Sequence, residues 1–125
     1  MNKTNQLGLT LIELLVTMAV VAILMGLAYP SFQGQMRKGR RTQGISALQD
    51  LQMQQERWRT NNTTYGSLAD LGGAATDEYY AYTISNVTAT TYTITATPHG
   101  SQAEDTSCAP MSIDEGNNKL PAACF

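Results

Sequence analysis

A long apolar segment near the N-terminus constrains this chain more than any other feature. Residues 9–29 carry only three polar side chains, those of Thr10, Glu13 and Thr17. A continuous helix over this segment would be about 32 Å long, close to the hydrocarbon thickness of a lipid bilayer. The chain has 125 residues, so the segment leaves room for only one small domain. We therefore expect a membrane-spanning helix followed by a single globular domain.

A cleavable secretory signal peptide is the competing interpretation of this segment. Such a peptide has a basic start, a shorter apolar core and small residues just before its cleavage site. Here residues 27–32 read LAYPSF, with large residues where small ones would be expected. The sequence therefore favours a helix that is retained in the protein.

Glu13 is the one charged residue inside the apolar segment. A carboxylate near the middle of a spanning helix costs about 2.5 to 3.5 kcal/mol on insertion scales. It therefore needs a partner, or it lies close enough to the membrane surface to remain hydrated.

Residues 6–13, which read QLGLTLIE, resemble the class III signal of type IV prepilins. That signal is a short polar leader, a glycine, an apolar residue and then T-L-I-E ahead of an apolar run. The resemblance implies that a prepilin peptidase cuts between Gly8 and Leu9 and that the new amino group of Leu9 is N-methylated. Residues 1–8 would then be a leader peptide, 9–30 a transmembrane and filament-core helix, and 31–125 the globular domain with its helix continuation.

Cleavage at this position would create a partner for Glu13. The α-amino group of Leu9 has an unperturbed pKa of roughly 8, so it is mostly protonated at neutral pH. In pilins the amine that pairs with this glutamate belongs to a neighbouring subunit. The resemblance therefore implies that Glu13 sets the axial register of subunits during assembly.

Gly26 and Pro30 lie at the end of the apolar segment. Pilins usually carry a helix-breaking glycine where Ala22 stands here, whereas Pro30 matches the family's proline. Because proline removes a backbone donor and clashes with the preceding turn, we expect a kink or local melting between Gly26 and Pro30 in a filament.

Four basic residues follow: Arg37, Lys38, Arg40 and Arg41. In this position we expect them to reach phospholipid headgroups. The positive-inside rule would place the cluster in the cytoplasm. The resemblance instead places the leader in the cytoplasm and the C-terminal domain outside, and we follow the resemblance.

Further along, apolar residues recur with an approximately helical period from Ile45 to Trp58. This pattern is typical of an amphipathic helix that covers a sheet. Polar turn formers accumulate at residues 60–62, where we expect the helix to end.

Three later segments are predicted to be strands: 80–85, 92–97 and 110–114. The first two alternate and are rich in β-branched and aromatic residues. Turns are expected at 86–91 and 115–118. The predicted fold class is α+β, a long N-terminal helix, apolar and then amphipathic, packed on a small antiparallel sheet. The pilin resemblance implies the same architecture.

Cys108 and Cys124 are the only cysteines. An even pair in a domain outside the cytoplasm predicts a disulfide. Such a bond would stabilise the fold by about 3 kcal/mol on the chain-entropy model. With the strand at 92–97 and residues 100–103 before the first cysteine, the pair resembles the small E-type minor pilins most.

Other chemical signals in the sequence are weak. His99 is the single histidine, and the sequence has no nucleotide-binding loop, metal-ligand spacing or catalytic grouping. We therefore expect no enzyme activity, catalytic residue, metal or cofactor. Residues 114–118 offer oxygen ligands for calcium, but their spacing favours a plain turn.

Three functions are consistent with these observations. The first is a structural subunit of a type IV pilus, a minor pilin in pilus assembly, twitching motility or adhesion. Its partners would be other pilins, the prepilin peptidase and, before assembly, the bacterial inner membrane; afterwards the protein would be in the extracellular pilus.

The second function is a pilin that binds DNA, or another surface ligand, in natural transformation. Arg57-Trp58-Arg59 or Lys119 would supply the contacts. Net charge argues against it, because loss of Lys3 with the leader leaves seven basic and ten acidic side chains. The third is a type II secretion pseudopilin, which the terminal disulfide disfavours.

Overall fold

The structure is a computed structural model that describes residues 8–125. Residues 1–7 of the expected leader lie outside the described residues. The chain divides into two compact units, the first ending at Met36 and the second spanning Arg37–Phe125. A single helix, α1 (Leu11–Arg59), contributes to both units.

In the first unit, α1 is apolar and its side chains are largely exposed. Its most apolar window has a mean hydropathy of 2.5 and none of it is buried, so its length and composition suffice for a membrane crossing. The helix continues without interruption through Gly26 and Pro30. The kink or melting expected there in a filament stays a prediction.

In the second unit, α1 packs on a four-stranded antiparallel sheet. The strands follow one another in chain order: β1 (Tyr80–Ser85), β2 (Thr93–Pro98), β3 (Met111–Asp114) and β4 (Lys119–Leu120). The predicted helix end and the three predicted strands are confirmed. β4 was missed because two residues are too few to show an alternating pattern.

The core lies between one face of α1 and the sheet. The helix buries Gly44, Leu48, Leu51 and Gln55, at intervals of three or four residues. Gly44 allows close approach, because a Cβ atom there would lie 2.9 Å from Cε2 of Tyr80. The remaining core side chains come mainly from the strands and the disulfide: Tyr80, Tyr82, Tyr92, Ile94, Ala96, Cys108, Met111, Ile113 and Cys124.

Cys108 and Cys124 form the predicted disulfide, with their Cα atoms 5.8 Å apart. Both cysteines are buried. The bond joins the segment before β3 to the C-terminal turn, so it fixes the end of the sheet.

The basic cluster at the start of the second unit holds the loop between β2 and β3. Arg41 donates two hydrogen bonds to Asp105, Nε to Oδ2 at 3.0 Å and Nη2 to Oδ1 at 2.7 Å. Arg37 pairs with Glu104, and Arg40 donates to the Ser101 hydroxyl. These three guanidinium groups thus have partners in the loop, and the headgroup contacts expected from the cluster stay a prediction.

Candidate functional site

At the predicted processing site, Gly8 and Leu9 are exposed and precede the first helical residue. Glu13 lies in the first turn of α1 and forms a capping box with Thr10. The Thr10 hydroxyl accepts a hydrogen bond from the Glu13 amide (3.3 Å), and the Glu13 carboxylate accepts one from the Thr10 amide (3.4 Å). This pair satisfies backbone groups that a helix start leaves without partners. The sequence analysis did not predict this capping box, although T-x-x-E is its sequence signature.

A groove of about 600 Å³ lies at the C-terminal end of α1. It combines one cation, one carboxylate, three side-chain amides and an indole. Helix α1 and the loop that follows it supply the lining: Gln54, Arg57, Trp58, Asn61, Asn62, Asp70, Leu71 and Gly72.

Side-chain caps end the helix at this groove. The Thr60 hydroxyl donates to the carbonyl of Arg57 (2.7 Å), and the Asn62 amide donates to the carbonyl of Trp58 (2.8 Å). These carbonyls belong to the last turn, where no later helical amide donates to them, and the amides of Thr60 (3.3 Å) and Asn61 (3.2 Å) donate to them as well. The caps therefore determine where the chain leaves the helix.

Gln55 secures the loop behind the groove from inside the core. Its side chain is fully buried and pairs with both backbone groups of Gly66, donating to the carbonyl (2.7 Å) and accepting from the amide (2.9 Å). A Cβ atom on Gly66 would lie 3.3 Å from Cδ1 of Trp58. Glycine thus lets the loop backbone lie against the indole, which holds Trp58 in place.

The two arginines that the sequence analysis grouped together have different environments. Arg59 donates to the carbonyls of Asn62 (2.6 Å) and Ala89 (3.1 Å), and its guanidinium lies 5.8 Å from the ring centroid of Tyr65. Arg59 therefore ties the helix end to the hairpin turn. Arg57 is exposed and forms no ion pair or hydrogen bond through its side chain within residues 8–125.

Lys119 does not line the groove. It lies on β4, where its ammonium group is 5.6 Å from the ring centroid of Phe125. Of the cations suggested from the sequence, the structure therefore brings only Arg57 into the groove beside Trp58.

Asp70 supplies the negative charge of the groove. Hydrogen bonds from the hydroxyl (2.6 Å) and the amide (2.8 Å) of Ser67 lower the pKa of its carboxyl. The carboxylate is therefore ionised at neutral pH. With one guanidinium and one carboxylate, the groove has no strong net positive potential.

The side chain of Asp114 hydrogen-bonds within its own turn. Its Oδ1 accepts hydrogen bonds from the amides of Gly116 and Asn118, both at 2.9 Å. Among residues 8–125, no group of three or more His, Cys, Asp or Glu side chains could hold a metal ion.

Comparison with known families decides the identity of the chain. Residues 30–112 match the family described as "Type IV minor pilin ComP, DNA uptake sequence receptor", which covers well over half of the sequence and the whole groove. The chain belongs to this family. Residues 3–29 of this minor pilin match the prokaryotic N-terminal methylation motif. Membership favours the pilin over the pseudopilin interpretation.

The fold of the minor pilin is also that of solved pilins. A type IV pilin from Shewanella oneidensis superposes with a TM-score of 0.60 at 22% identity, over 71% of this chain and 97% of that one. No curated protein matches the chain. Family and fold are those of structural filament subunits, which assemble with other pilins from the inner membrane.

Proposed function

We propose that this minor pilin binds DNA through the groove at the C-terminal end of α1. The observation that carries the proposal is that Arg57 is exposed in the groove beside the half-buried indole of Trp58, with no side-chain hydrogen bond or ion pair to any of residues 8–125. A guanidinium binds phosphates and base edges, and an indole stacks on bases. The family description names a DNA uptake sequence receptor, which supports the same partner.

The acidic net charge of the mature chain bears on how this binding works. Because the groove contributes one cation, DNA would release about one counterion there, and log K would fall with log salt with a slope of about −0.9. We therefore expect weak binding with a shallow salt dependence, unlike that of a strongly basic DNA-binding domain.

The test uses the mature protein in detergent micelles and a labelled duplex of random sequence. Trp58 is the sole tryptophan, so its fluorescence reports occupancy of the groove directly. We expect DNA to quench it, and Arg57→Gln to weaken binding and abolish most of the salt dependence. Asp70→Asn should strengthen binding about twofold to threefold, since it removes a negative charge that repels the DNA phosphates.

Lys38→Gln is the matched control, because Lys38 is an exposed cation outside the groove. It should bind DNA as the unaltered protein does. If Lys38→Gln lost affinity and Arg57→Gln did not, the groove would not be the binding site.

We further propose the processing and assembly steps that the prepilin signal implies. The peptidase would cut between Gly8 and Leu9, Leu9 would be N-methylated, and residues 9–30 would anchor the subunit in the inner membrane and then form the filament core. The match to the N-terminal methylation motif supports this order. Intact mass and N-terminal sequencing of protein from sheared filaments test it, with N-methylated Leu9 as the expected first residue.

Testing the role of Glu13 in assembly requires a variant that keeps the capping box with Thr10. Glutamine at this position can still close the capping box, but it carries no charge and so cannot form an ion pair with an amine. Glu13→Gln and Glu13→Ala should therefore both be cleaved and both assemble poorly. Normal filaments from Glu13→Gln, with failure of Glu13→Ala alone, would show that the cap matters and the charge does not.

A further inference from the structure

Four of the five arginines in the chain form hydrogen bonds or ion pairs within the globular domain. Each guanidinium has a partner within the chain: Arg37 with Glu104, Arg40 with Ser101, Arg41 with Asp105, and Arg59 with Asn62 and Ala89. Arg57 lines the groove, and no side chain or backbone group of the described residues 8–125 accepts a hydrogen bond from its guanidinium.

Gln54 stands one helical turn before Arg57 and lines the same groove. Its amide makes no hydrogen bond in the part of the chain that the structure describes. Residues three apart are neighbours on a helix surface, separated by about 4.5 Å along the axis. Successive base pairs are about 3.4 Å apart along a duplex. Two side chains at this backbone spacing can reach the edges of neighbouring base pairs.

We infer that Arg57 and Gln54 read base edges in the major groove of DNA, Arg57 a guanine and Gln54 an adenine on neighbouring base pairs. The inference rests on the proposed function and adds the residues that give it sequence preference. An arginine fork matches the O6 and N7 acceptors of guanine, and a glutamine amide matches N6 and N7 of adenine. The major groove admits an α-helix, whereas the minor groove does not distinguish these bases well.

A contact to phosphate alone does not account for this arrangement. Gln54 carries no charge, so it adds little to attraction for the backbone, and the carboxylate of Asp70 lowers the positive potential that phosphate contacts need. A neutral amide and a guanidinium three positions apart on one helix, neither with a partner in the described part of the chain, are instead suited to base recognition.

The test is selection of duplexes from a random pool by the mature full-length protein in micelles, compared with Arg57→Met, Gln54→Leu and Lys38→Met. The protein should enrich a motif with an adjacent guanine and adenine. Arg57→Met should lose the guanine preference alone and Gln54→Leu the adenine preference alone, while Lys38→Met keeps both. Each correct base should be worth roughly 5- to 150-fold in affinity.

Replacing the selected guanine with 7-deazaguanine removes the N7 acceptor without changing any phosphate. Affinity should fall for the unaltered protein and stay the same for Arg57→Met. If the protein binds DNA and Trp58 is quenched but no base is enriched, the inference is overturned and the proposed function stands. If no duplex binds, both fail. A motif that both groove variants retain also overturns the inference.

Discussion

Replacing Gln55 with leucine tests whether the loop behind the groove depends on one buried amide. Gln55 is fully buried and pairs with both the carbonyl and the amide of Gly66. Leucine is of similar size and has a helix propensity close to that of glutamine, so α1 itself should be unaffected. The substitution therefore isolates the loss of the two hydrogen bonds.

The magnitude follows from what is left behind in Gly66. Both of its backbone groups would lose their partner, and a buried polar group without one costs about 1 to 3 kcal/mol. Burying a leucine side chain offsets part of this loss, by roughly 1 to 2 kcal/mol. We expect Gln55→Leu to lower the free energy of unfolding by about 2 to 4 kcal/mol, a large share of the stability of a small domain.

The assay is urea unfolding of residues 31–125, which contain the whole buried core, followed by Trp58 fluorescence. With a slope of about 1.5 kcal/mol per molar, the midpoint should move down by roughly 2 M. Gln49→Leu is the matched control, because Gln49 is exposed on the same helix, and its effect should stay within about 0.5 kcal/mol. Equal midpoints for the two variants would refute the reasoning, because water would then be satisfying Gly66.

Two further perturbations follow from the same core. Gly44→Ala should destabilise the domain by about 1 to 3 kcal/mol in the urea assay, because the new methyl group meets the buried ring of Tyr80; Gly39→Ala, with open space around it, should be neutral or stabilising. Burial raises the pKa of the Asp77 carboxyl, but hydrogen bonds from the Tyr82 hydroxyl and backbone amides outweigh burial and lower it. Asp77 therefore contributes stability above its unfolded pKa of about 4 that is lost as the pH falls. Asp77→Asn should flatten that loss in unfolding titrations between about pH 5 and pH 2, and a profile as steep as the original would contradict this account.

The helical and strand patterns predicted most of the fold because burial imposes them directly. The helical period up to Trp58 and the alternation at 80–85 each reflect which side chains face water, whereas the apolar run has the length and composition of a membrane crossing. β4 and the loop between β2 and β3 had no such pattern. That loop is held by ion pairs with Arg37 and Arg41, and pairing between residues more than sixty positions apart leaves no periodic signal.

The candidate site was only partly predictable for the same reason. Arg57, Trp58 and Arg59 were predicted to contact DNA because arginine and tryptophan side chains bind phosphates and bases. It did not distinguish an arginine that hydrogen-bonds to the hairpin turn from one that faces the groove. Gln54 was not singled out from the sequence, because nothing in its type or spacing shows that its amide lines the groove.

The register of one helix links the fold to the proposed activity. Leu51 and Gln55 fix the rotation of α1 against the sheet. Gln54 precedes Gln55 by one position and Arg57 follows it by two, so the rotation that buries the core face also directs these two side chains along the rim of the core. Groups on a rigid helix are held more accurately than groups on a loop. A change that shifts the buried face should therefore weaken base recognition even where Arg57 itself is untouched.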